Sequence, residues 1–290
     1  MIVLLGPTGY IGAKLAAGLE AAGRPWRGLS RSELDYTRPG RLREFLHGTG
    51  ATWLINAAGF TGKPNVDACE TQKAECLFGN AVLPGILAAE CEAAGIPWAH
   101  LSSGCIYQGR SGGRGFREED PPNFDFRSGF CSWYSGTKAL GEEILRGAPR
   151  CYVWRVRIPF EEEDNPRNYL CKLLRYRRLL DAENSLTHLG EFVLEALAMM
   201  ERRAPFGVYN MTQPGAMTTR EIVGLLQTRG YFPQGAEFFA DEKDFMRTAA
   251  STPRSNCVLD VEKALQAGCR LTPIREKMAA CIRELRVPVS

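Results

Sequence analysis

The sequence predicts an α/β protein built on a doubly wound parallel sheet, with a smaller mixed α/β substrate cap. Three observations predict this fold: short apolar runs alternate with segments of helical periodicity, the first run ends in a glycine-rich turn, and the same order repeats along the chain. Strands separated by helices require right-handed crossovers. Such crossovers produce a parallel sheet covered on both faces.

The predicted elements follow in order from the N-terminus. The strands are residues 2–5, 24–29, 53–55, 98–101 and 152–158, and the helices are 11–22, 42–46, 76–94 and 133–145. After Pro159 the alternation weakens, and a basic segment at 169–180 is predicted as a helix. A helix at 190–202 and a strand at 207–211 return to the sheet. We therefore expect a first domain of 1–160 with 185–212 returning to it, and a cap of 161–184 and 213–290.

Composition excludes several classes of protein. The 36 basic and 33 acidic residues leave a net charge of +3, which lacks the strong basic field typical of nucleic-acid binding. The apolar start at residues 1–5 is too short for a signal-peptide core or a membrane span. We expect a cytoplasmic protein with neither nucleic acid nor a membrane as its partner.

The cysteines and histidines predict neither disulfides nor a metal. The ten cysteines include no Cys-x-x-Cys pair, and the chain is larger than the usual disulfide-dependent scaffold, so we expect mostly buried thiols. The three histidines, His47, His100 and His188, are scattered in sequence. No metal site is predicted.

A glycine motif joins the first strand to the first helix. In such a motif the first glycine permits a tight turn, the second admits a pyrophosphate to the helix N-terminus, and the third allows close helix–strand packing. A plain turn is the alternative, but the position between a strand and a helix favours a dinucleotide site. The predicted cofactor-binding residues here are Gly6, Thr8, Gly9, Tyr10, Ile11 and Gly12.

The end of the second strand indicates which dinucleotide binds. An acidic residue there suits the ribose hydroxyls of NAD, whereas an arginine suits the 2′-phosphate of NADP. The chain has Ser30, Arg31 and Ser32 at this point. NADPH is therefore the predicted cofactor, with NADH as the alternative. A solvated surface role is the other interpretation of Arg31.

Tyr134 and Lys138 form a Tyr-x-x-x-Lys pair on a predicted helix. Residues four apart share one helix face, so the phenol and the ammonium meet at one site. A phenol has an ordinary pKa of about 10, and a nearby cation lowers it toward neutrality. The pair can then protonate a carbonyl oxygen as hydride arrives. The same spacing also occurs by chance on exposed helices.

These residues resemble the extended short-chain dehydrogenase/reductases with a Rossmann fold, and within them the dTDP-4-dehydrorhamnose reductase branch. The chain is most similar to the plant-type nucleotide-rhamnose synthases, which combine a 3,5-epimerase with a 4-reductase. The matching stretches run in order along most of the chain. They are residues 56–70, 104–106, 116–124, 155–159, 165–168 and 253–256.

The resemblance implies a role for each matching residue. Ser103, Tyr134 and Lys138 match the reductase residues, and Tyr134 and Lys138 also contact the cofactor. Cys105 and Lys172 match the cysteine and lysine of the epimerase step; without the resemblance, a buried thiol and a solvated helix face would be favoured. The resemblance also implies that the cofactor site includes Asn56, Ala57, Ala58 and Gly59.

The substrate residues are also taken from the resemblance. Arg254 matches the pyrophosphate-binding stretch and can grip two oxygens at once. Further candidates for sugar contacts are Thr61, Gly62, Asn65 and Asn168, for which turn formation is the alternative. The chain departs from the family at Gly136, where a lysine is usual, at Ser103, which replaces a threonine, and in extra residues around 128–133.

The implied activity is an NADPH-dependent 3,5-epimerase/4-ketoreductase that converts an NDP-4-keto-6-deoxy-glucose to NDP-L-rhamnose. Three alternatives remain: a 4-ketoreductase alone, an epimerase/reductase similar to GDP-fucose synthase, and a non-catalytic nucleotide-binding protein. The substrate is a UDP or dTDP sugar, and the sequence leaves that choice open. It also leaves open whether the protein forms a homodimer.

Overall fold

A computed structural model describes residues 1–63 and 65–287. Pro64 of the matching stretch 56–70, and residues 288–290 of the predicted cap, lie outside the described residues. The strands are Ile2–Leu5 (β1), Trp26–Leu29 (β2), Trp53–Asn56 (β3), Trp98–Ser103 (β4), Cys151–Val156 (β5), Pro159–Phe160 (β6), Arg178–Leu179 (β7), Glu183–Asn184 (β8), Thr187–His188 (β9), Gly207–Asn210 (β10), Met217–Thr218 (β11) and Glu237–Phe238 (β12).

The helices lie between these strands and in the C-terminal quarter. They are Tyr10–Ala21 (α1), Arg41–Gly48 (α2), Lys73–Leu77 (α3), Leu83–Ala94 (α4), Trp133–Ile144 (α5), Tyr169–Arg175 (α6), Leu189–Glu201 (α7), Thr219–Gln227 (α8), Glu242–Thr248 (α9), Glu262–Gln266 (α10) and Ile274–Arg283 (α11). Short 3-10 turns cover Val66–Glu70 and Gly104–Ile106.

Six strands form one parallel sheet in the order β2-β1-β3-β4-β5-β10. The order changes direction between β1 and β3, and ligands bind outside the carboxyl ends of strands at such a point. Helices α1 and α7 cover one face through Leu15, Leu19 and Phe192. Helices α2 and α4 cover the other through Leu42 and Leu87. The predicted doubly wound parallel sheet is confirmed.

The run from α3 to α4 is one helix interrupted by a π-helical segment, Phe78–Val82. It ends at Gly95, which adopts the left-handed conformation that commonly terminates helices. The run Lys73–Ala94 is long and apolar enough to cross a membrane by those two criteria alone, and half of its apolar window is buried in the fold. It packs against α2 and α5.

Two predicted boundaries are wrong, and local contacts explain why. The predicted helix 169–180 ends at Arg175, because Arg178–Leu179 pairs with β12 and the Arg178 guanidinium lies over the Phe239 ring. Such tertiary pairing overrides helix propensity. The predicted strand 152–158 ends at Val156, because Ile158 has a φ of +38° that a strand cannot accommodate.

The cap has a hydrophobic core of its own, built from both predicted stretches. Leu170 and Leu179 from the first stretch pack with Ile222, Met278 and other residues of the second. Residues 257–271, predicted as cap, instead pack on the sheet domain. Leu259 belongs to the same hydrophobic cluster as Cys105, and Leu271 belongs to the core that also contains Phe192 of α7. All ten cysteines are free thiols, and nine of them are buried, as the sequence predicts.

Candidate active site

The glycine turn has the close geometry that a dinucleotide site needs. A Cβ on Gly12 would lie 1.9 Å from the Gly6 carbonyl oxygen, and one on Gly6 would lie 2.8 Å from the Ala58 amide nitrogen. Gly6 has a φ of +73°. Gly9 precedes α1, and no side chain of the described residues caps the first amides of that helix. These amides therefore fit a pyrophosphate.

Asn56, at the end of β3, shapes the neighbouring turn rather than presenting its side chain to solvent. It is fully buried; its Oδ1 accepts the Ala58 amide at 3.0 Å and its Nδ2 lies 2.9 Å from His100 Nδ1. Burial and the Lys138 charge lower the pKa of His100 well below its ordinary value. A Cβ on Gly59 would be 3.6 Å from Lys138 Nζ. The turn after β3 thus meets α5.

Ser30 and Arg31 follow β2 on the protein surface. Ser30 Oγ lies 2.8 Å from Ser32 Oγ, and both side chains are exposed. Arg31 is also exposed and takes part in no ion pair within residues 1–63 and 65–287. The nearby Arg27 is paired with Glu33. Arg31 is therefore the cation at this strand end that is available to a 2′-phosphate.

Ser103 and Tyr134 come together where β4 ends beside the start of α5. Ser103 Oγ accepts the Cys105 amide at 3.2 Å. Burial and the neighbouring Cys105 raise the pKa of Tyr134 above its ordinary value, more than a hydrogen bond with Ser103 lowers it. The phenol therefore stays protonated at neutral pH, which is the form that can donate a proton.

Lys138 lies one helical turn beyond Tyr134 and is almost fully buried. Its Nζ donates to the Leu101 carbonyl oxygen at 3.2 Å, and burial lowers its pKa. The expectation that Lys138 brings the pKa of Tyr134 toward neutrality is wrong for this structure, because burial of the phenol has the larger effect. Lys138 instead connects α5 to the backbone of β4.

Glu70 fixes the start of α5, and the sequence reasoning missed it. Its Oε1 accepts the Trp133 amide at 2.7 Å and the Thr252 hydroxyl at 2.8 Å. Glu70 therefore joins the 3-10 turn, α5 and the cap. Its position in the matching stretch 56–70 was the available signal.

The departure at Gly136 has a steric reason. A Cβ at this position would lie 2.2 Å from the Phe126 ring, so any side chain would displace the ring from α5. Phe126 also stacks at a tilt on Trp133, with ring centroids 5.0 Å apart. In the predicted insertion, Phe130 is 64% exposed, whereas Ser132 is buried and caps α5 through the Ser135 amide. The helix start is therefore well supported despite the extra residues.

Cys105 lies in the 3-10 turn that follows β4, and it is only 4% exposed. Burial raises the pKa of its thiol, while a hydrogen bond with Ser103 and the charges of Arg157 and Lys138 act in the opposite direction. Cys105 belongs to a buried hydrophobic cluster against which Tyr134 also packs. Cys105 is thus near Ser103 and Tyr134.

Lys172 lies on α6, which belongs to the cap. Its side chain is partly buried, and it forms no ion pair in the described part of the chain. Burial and, to a smaller extent, the Arg167 charge lower the pKa of Lys172. No contact joins Lys172 to Cys105 among the described residues. An ammonium with a lowered pKa is suited to proton exchange near neutral pH.

Asn65 and Asn168 form turns, which was the alternative to sugar contact. Asn65 precedes a 3-10 turn and accepts the Asp67 amide at 2.8 Å. Asn168 is fully buried and precedes α6; its Nδ2 donates to the carbonyl oxygens of Glu161 and Glu163, and its Oδ1 accepts the Leu170 amide. These contacts favour the turn-forming alternative for Asn168, and its contact with substrate stays an untested prediction.

Arg167 is a second residue that the sequence reasoning missed. Its guanidinium donates to Thr61 Oγ1 and to the Gly62 carbonyl oxygen, both at 3.0 Å. These bonds connect the loop after β3 to the start of α6. Thr61 is exposed, whereas Gly62 is buried with a φ of +68°. Both candidates therefore lie where the sheet domain meets the cap.

Arg254 extends from the cap toward the sheet domain and forms a bidentate ion pair with Asp67. The two nitrogen–oxygen distances are both 2.7 Å. The guanidinium also lies 5.8 Å from the centre of the Phe245 ring, and the ion pair lowers the pKa of Asp67. The predicted anion-binding group is thus held by a carboxylate in this structure.

Glu162, His188 and Cys281 bring potential ligand atoms within 4.8 Å of one another in the described part of the chain. His188 Nδ1 accepts the Glu191 amide at 3.2 Å as the cap of α7, which leaves the ring proton on Nε2. Nε2 donates to Glu162 Oε1 at 2.9 Å. This tautomer suits a helix cap and not a metal ligand. The absence of a metal stays a prediction.

With this geometry described, comparison with known proteins identifies the family. The model for the RmlD substrate binding domain matches residues 1–287. The chain belongs to this family. One relative is the bifunctional dTDP-4-dehydrorhamnose 3,5-epimerase/dTDP-4-dehydrorhamnose reductase of Arabidopsis thaliana, which is 33% identical over 97% of this chain and 92% of its own length.

Solved structures share the same fold. The L780 UDP-rhamnose synthase from Acanthamoeba polyphaga mimivirus has a TM-score of 0.89 and 24% identity, and 98% of each chain is covered. The dTDP-4-dehydrorhamnose reductase of Bacillus anthracis, in complex with NADP, has a TM-score of 0.79 and 16% identity over 98% of this chain and 97% of that one.

These comparisons confirm the family predicted from the motifs. They also confirm that this RmlD-family chain is an enzyme of the oxidoreductase class, because its relatives are named reductases. The roles of the individual site residues stay predictions.

Proposed function

We propose that this chain is an NADPH-dependent nucleotide-sugar 3,5-epimerase/4-ketoreductase that converts an NDP-4-keto-6-deoxy-glucose to NDP-L-rhamnose. The relatives support a 4-ketoreductase, and one of them is also named an epimerase. The observation that carries the second activity is the position of Cys105, whose amide donates to Ser103 Oγ and which lies in the buried cluster that Tyr134 packs against. The expected compartment is the cytoplasm.

The reduction uses Ser103 and Tyr134 at the ketone. When bound, NADPH supplies the hydride that reaches C4. Gly6, Gly9 and the first amides of α1 would hold its pyrophosphate, and Arg31 its 2′-phosphate. The Ser103 hydroxyl orients the C4 oxygen, and Tyr134 gives that oxygen a proton. Lys138 keeps α5 against β4 through the Leu101 carbonyl.

The epimerisation uses the acidity of the carbons beside the ketone. A C4 carbonyl acidifies the hydrogens at C3 and C5, because either carbanion becomes an enolate. Cys105 lies beside Ser103, and Lys172 lies on the cap. A thiol and an ammonium on opposite sides of the ring can remove and return protons on opposite faces. Both inversions then precede reduction.

The first experiment offers UDP- and dTDP-4-keto-6-deoxy-glucose to the protein with NADPH, and NMR identifies the product sugar. We expect the L-rhamnose configuration, and the nucleotide that reacts faster is the preferred substrate. In deuterium oxide without NADPH, we expect deuterium at C3 and C5 above a control without enzyme. A fucose-type product, or no turnover with either nucleotide, would contradict the proposal.

Variants of Cys105 and Lys172 separate this function from a simple reductase. We expect Cys105→Ser and Lys172→Ala to lose deuterium exchange and still reduce a substrate supplied already epimerised. Cys257→Ser is a matched control, because Cys257 is buried in the same hydrophobic cluster as Cys105 and its thiol donates to the Gly104 carbonyl oxygen. Deuterium exchange by this variant should resemble that of the parent. Reduction by the parent without deuterium incorporation would establish a reductase alone.

A further inference from the structure

Arg157 is a buried cation that the proposed reaction has not yet used. Its side chain is 8% exposed, and it forms no ion pair with any carboxylate of residues 1–63 and 65–287. Its Nη2 donates to Asn184 Oδ1 at 2.7 Å and to the Ser255 carbonyl oxygen. Its Nε is buried without a partner in the described structure. A buried charge without a counterion is costly, so an anion that forms beside Arg157 would be stabilised.

The sheet register brings Arg157 to the candidate site. Val156 on β5 is paired with Ser103 on β4, so the next residue, Arg157, lies beside the 3-10 turn that contains Cys105. The Arg157 amide donates to Thr187 Oγ1 at 2.9 Å, and its carbonyl oxygen accepts the Thr187 amide at 2.8 Å. The backbone around Arg157 is therefore fixed on both sides.

The residue after Arg157 has an unusual backbone conformation. Ile158 has a φ of +38°, which is sterically unfavourable for a β-branched residue. Strained conformations of this kind persist where the surrounding structure holds them, and they are common at functional sites. Ile158 directly follows Arg157, just beyond the end of β5 at Val156. The chain therefore maintains an unfavourable conformation next to an uncompensated cation.

Several titratable or polar groups of the described residues surround the Cys105 thiol, and Lys138 and Arg157 are the cations whose charges act on it most. The pKa of Tyr169, at the start of α6, is also affected by the Arg157 charge, so the guanidinium acts toward both Cys105 and the helix of Lys172. Lys138 already donates to the Leu101 carbonyl. The groups around the thiol are Ser103, Tyr134, Ser135 and Lys138, Arg157, and the thiols of Cys69, Cys131 and Cys257.

We propose that Arg157 stabilises the negative charge of the Cys105 thiolate and so positions that sulfur as the proton acceptor of the epimerase step. The thiol first releases its own proton to solvent water. The thiolate then takes a proton from C3 or C5; the carbon–hydrogen electron pair forms the enolate double bond, and the carbonyl pair moves to the C4 oxygen. The inference rests on the proposed epimerase activity.

The test titrates Cys105 without substrate. The thiolate absorbs in the ultraviolet, so the difference in absorbance between the parent and Cys105→Ser, followed against pH, gives the midpoint for this sulfur. The same difference in absorbance is taken between Arg157→Gln and the double variant that also carries Cys105→Ser. We expect the Cys105 midpoint obtained in this way to lie about one to three pH units above the midpoint of the parent. Arg157→Lys keeps the charge and should restore at least half of the shift.

Two further variants exclude a purely structural effect. Arg157→Met is a second uncharged replacement and must shift the midpoint as Arg157→Gln does. Arg155→Lys alters a buried arginine on β5, two residues before Arg157, that is already paired with Glu142, and it should leave the midpoint unchanged. NADP binding shows that each variant is folded. An unchanged midpoint in both uncharged variants, or a raised KM for the sugar without a shift, would overturn the proposal.

Deuterium exchange links this titration to the proposed function. The exchange at C3 and C5 should follow the same upward shift, with a roughly ten-fold or greater loss near neutral pH in Arg157→Gln. If the parent takes up no deuterium but the Cys105 midpoint still shifts when Arg157 is replaced, the proposed epimerase activity is wrong and the effect of Arg157 on the thiol stands. If the parent takes up deuterium and the midpoint does not respond, the Arg157 inference is wrong on its own.

Discussion

The two sides of the candidate site are held in place by different interactions. On the sheet side, Ser103 is fixed by the register of β4 with β5, and Lys138 is 6% exposed and bound to a backbone carbonyl. On the cap side, Arg254 and Arg167 reach the sheet domain through an ion pair and hydrogen bonds at the partly exposed boundary. Sheet register and burial do not depend on ligand, whereas partly exposed charged contacts are weak and exchangeable.

This difference indicates that the sheet side of the site is preorganised and the cap side is not. The sheet side presents the carbonyl-activating groups before any substrate arrives, as electrostatic catalysis requires. The cap side holds its cations with protein carboxylate and carbonyl groups that a charged substrate can replace. We therefore expect substitutions of Ser103 and Tyr134 to lower kcat for reduction, and substitutions of Arg167 and Arg254 to change KM for the nucleotide sugar.

The largest expected effect is on the sheet side, at Tyr134. Removing the phenolic hydroxyl in Tyr134→Phe should leave NADPH binding intact and lower kcat for reduction by roughly 10²- to 10⁴-fold, because a general acid contributes about that much. Steady-state kinetics with an already epimerised substrate measure this effect. Near-normal turnover in Tyr134→Phe would exclude the assigned role.

This half of the site is also the half that the sequence predicts best. Strand periodicity, the glycine turn and the Tyr134–Lys138 spacing are local patterns, and they placed both residues correctly on one helix beside β4. The ion pair of Arg254 with Asp67 depends on how distant segments pack, which no local pattern encodes. The partners of Asn168 are local, as its turn-forming alternative implies. The sequence reasoning also missed Arg157, because this residue is distinguished by having no carboxylate partner among the described residues, which only the folded structure reveals.

The second prediction tests whether cap contacts exchange with substrate. Arg254→Met should raise KM for the nucleotide sugar roughly 10- to 100-fold, which corresponds to about 1.5 to 3 kcal/mol for a charge-assisted hydrogen bond. Asp67→Asn removes the competing carboxylate and should leave KM unchanged or lower it. If the ion pair only holds the cap to the sheet domain, both variants will raise KM to the same extent.

The third prediction concerns Arg31, which lies on the sheet side but at an exposed strand end. Arg31→Ala should weaken NADPH binding by about 1 to 3 kcal/mol and leave NADH binding unchanged, because only NADPH carries the 2′-phosphate. Arg27→Ala is the matched control, since Arg27 already pairs with Glu33. Fluorescence titration of both cofactors measures the preference. Equal affinities of the parent for both cofactors would contradict the assignment.

The smallest expected effect is on stability, at the boundary between the two regions. A hydrogen bond with His188 lowers the pKa of Glu162 to about 2 from an ordinary 4.5, and the Glu162 side chain is 27% exposed. A carboxyl whose folded pKa is depressed stabilises the protein above its unfolded pKa, and that stabilisation is lost as the pH falls toward the folded value. The relevant window therefore runs from about pH 4.5 down to about pH 2.

Replacing this carboxyl should remove the acid-dependent part of the stability. The free energy of unfolding of the parent should fall between about pH 6 and pH 3 by about 1 to 2 kcal/mol more than that of Glu162→Gln. Glu163→Gln is the matched control, because Glu163 pairs with Arg286 at the surface, and it should keep the parent's pH dependence. Denaturant unfolding measures all three proteins. If the free energy of unfolding of Glu162→Gln falls as much on acidification as that of the parent, the hydrogen bond between His188 and Glu162 does not provide the acid-dependent part of the stability.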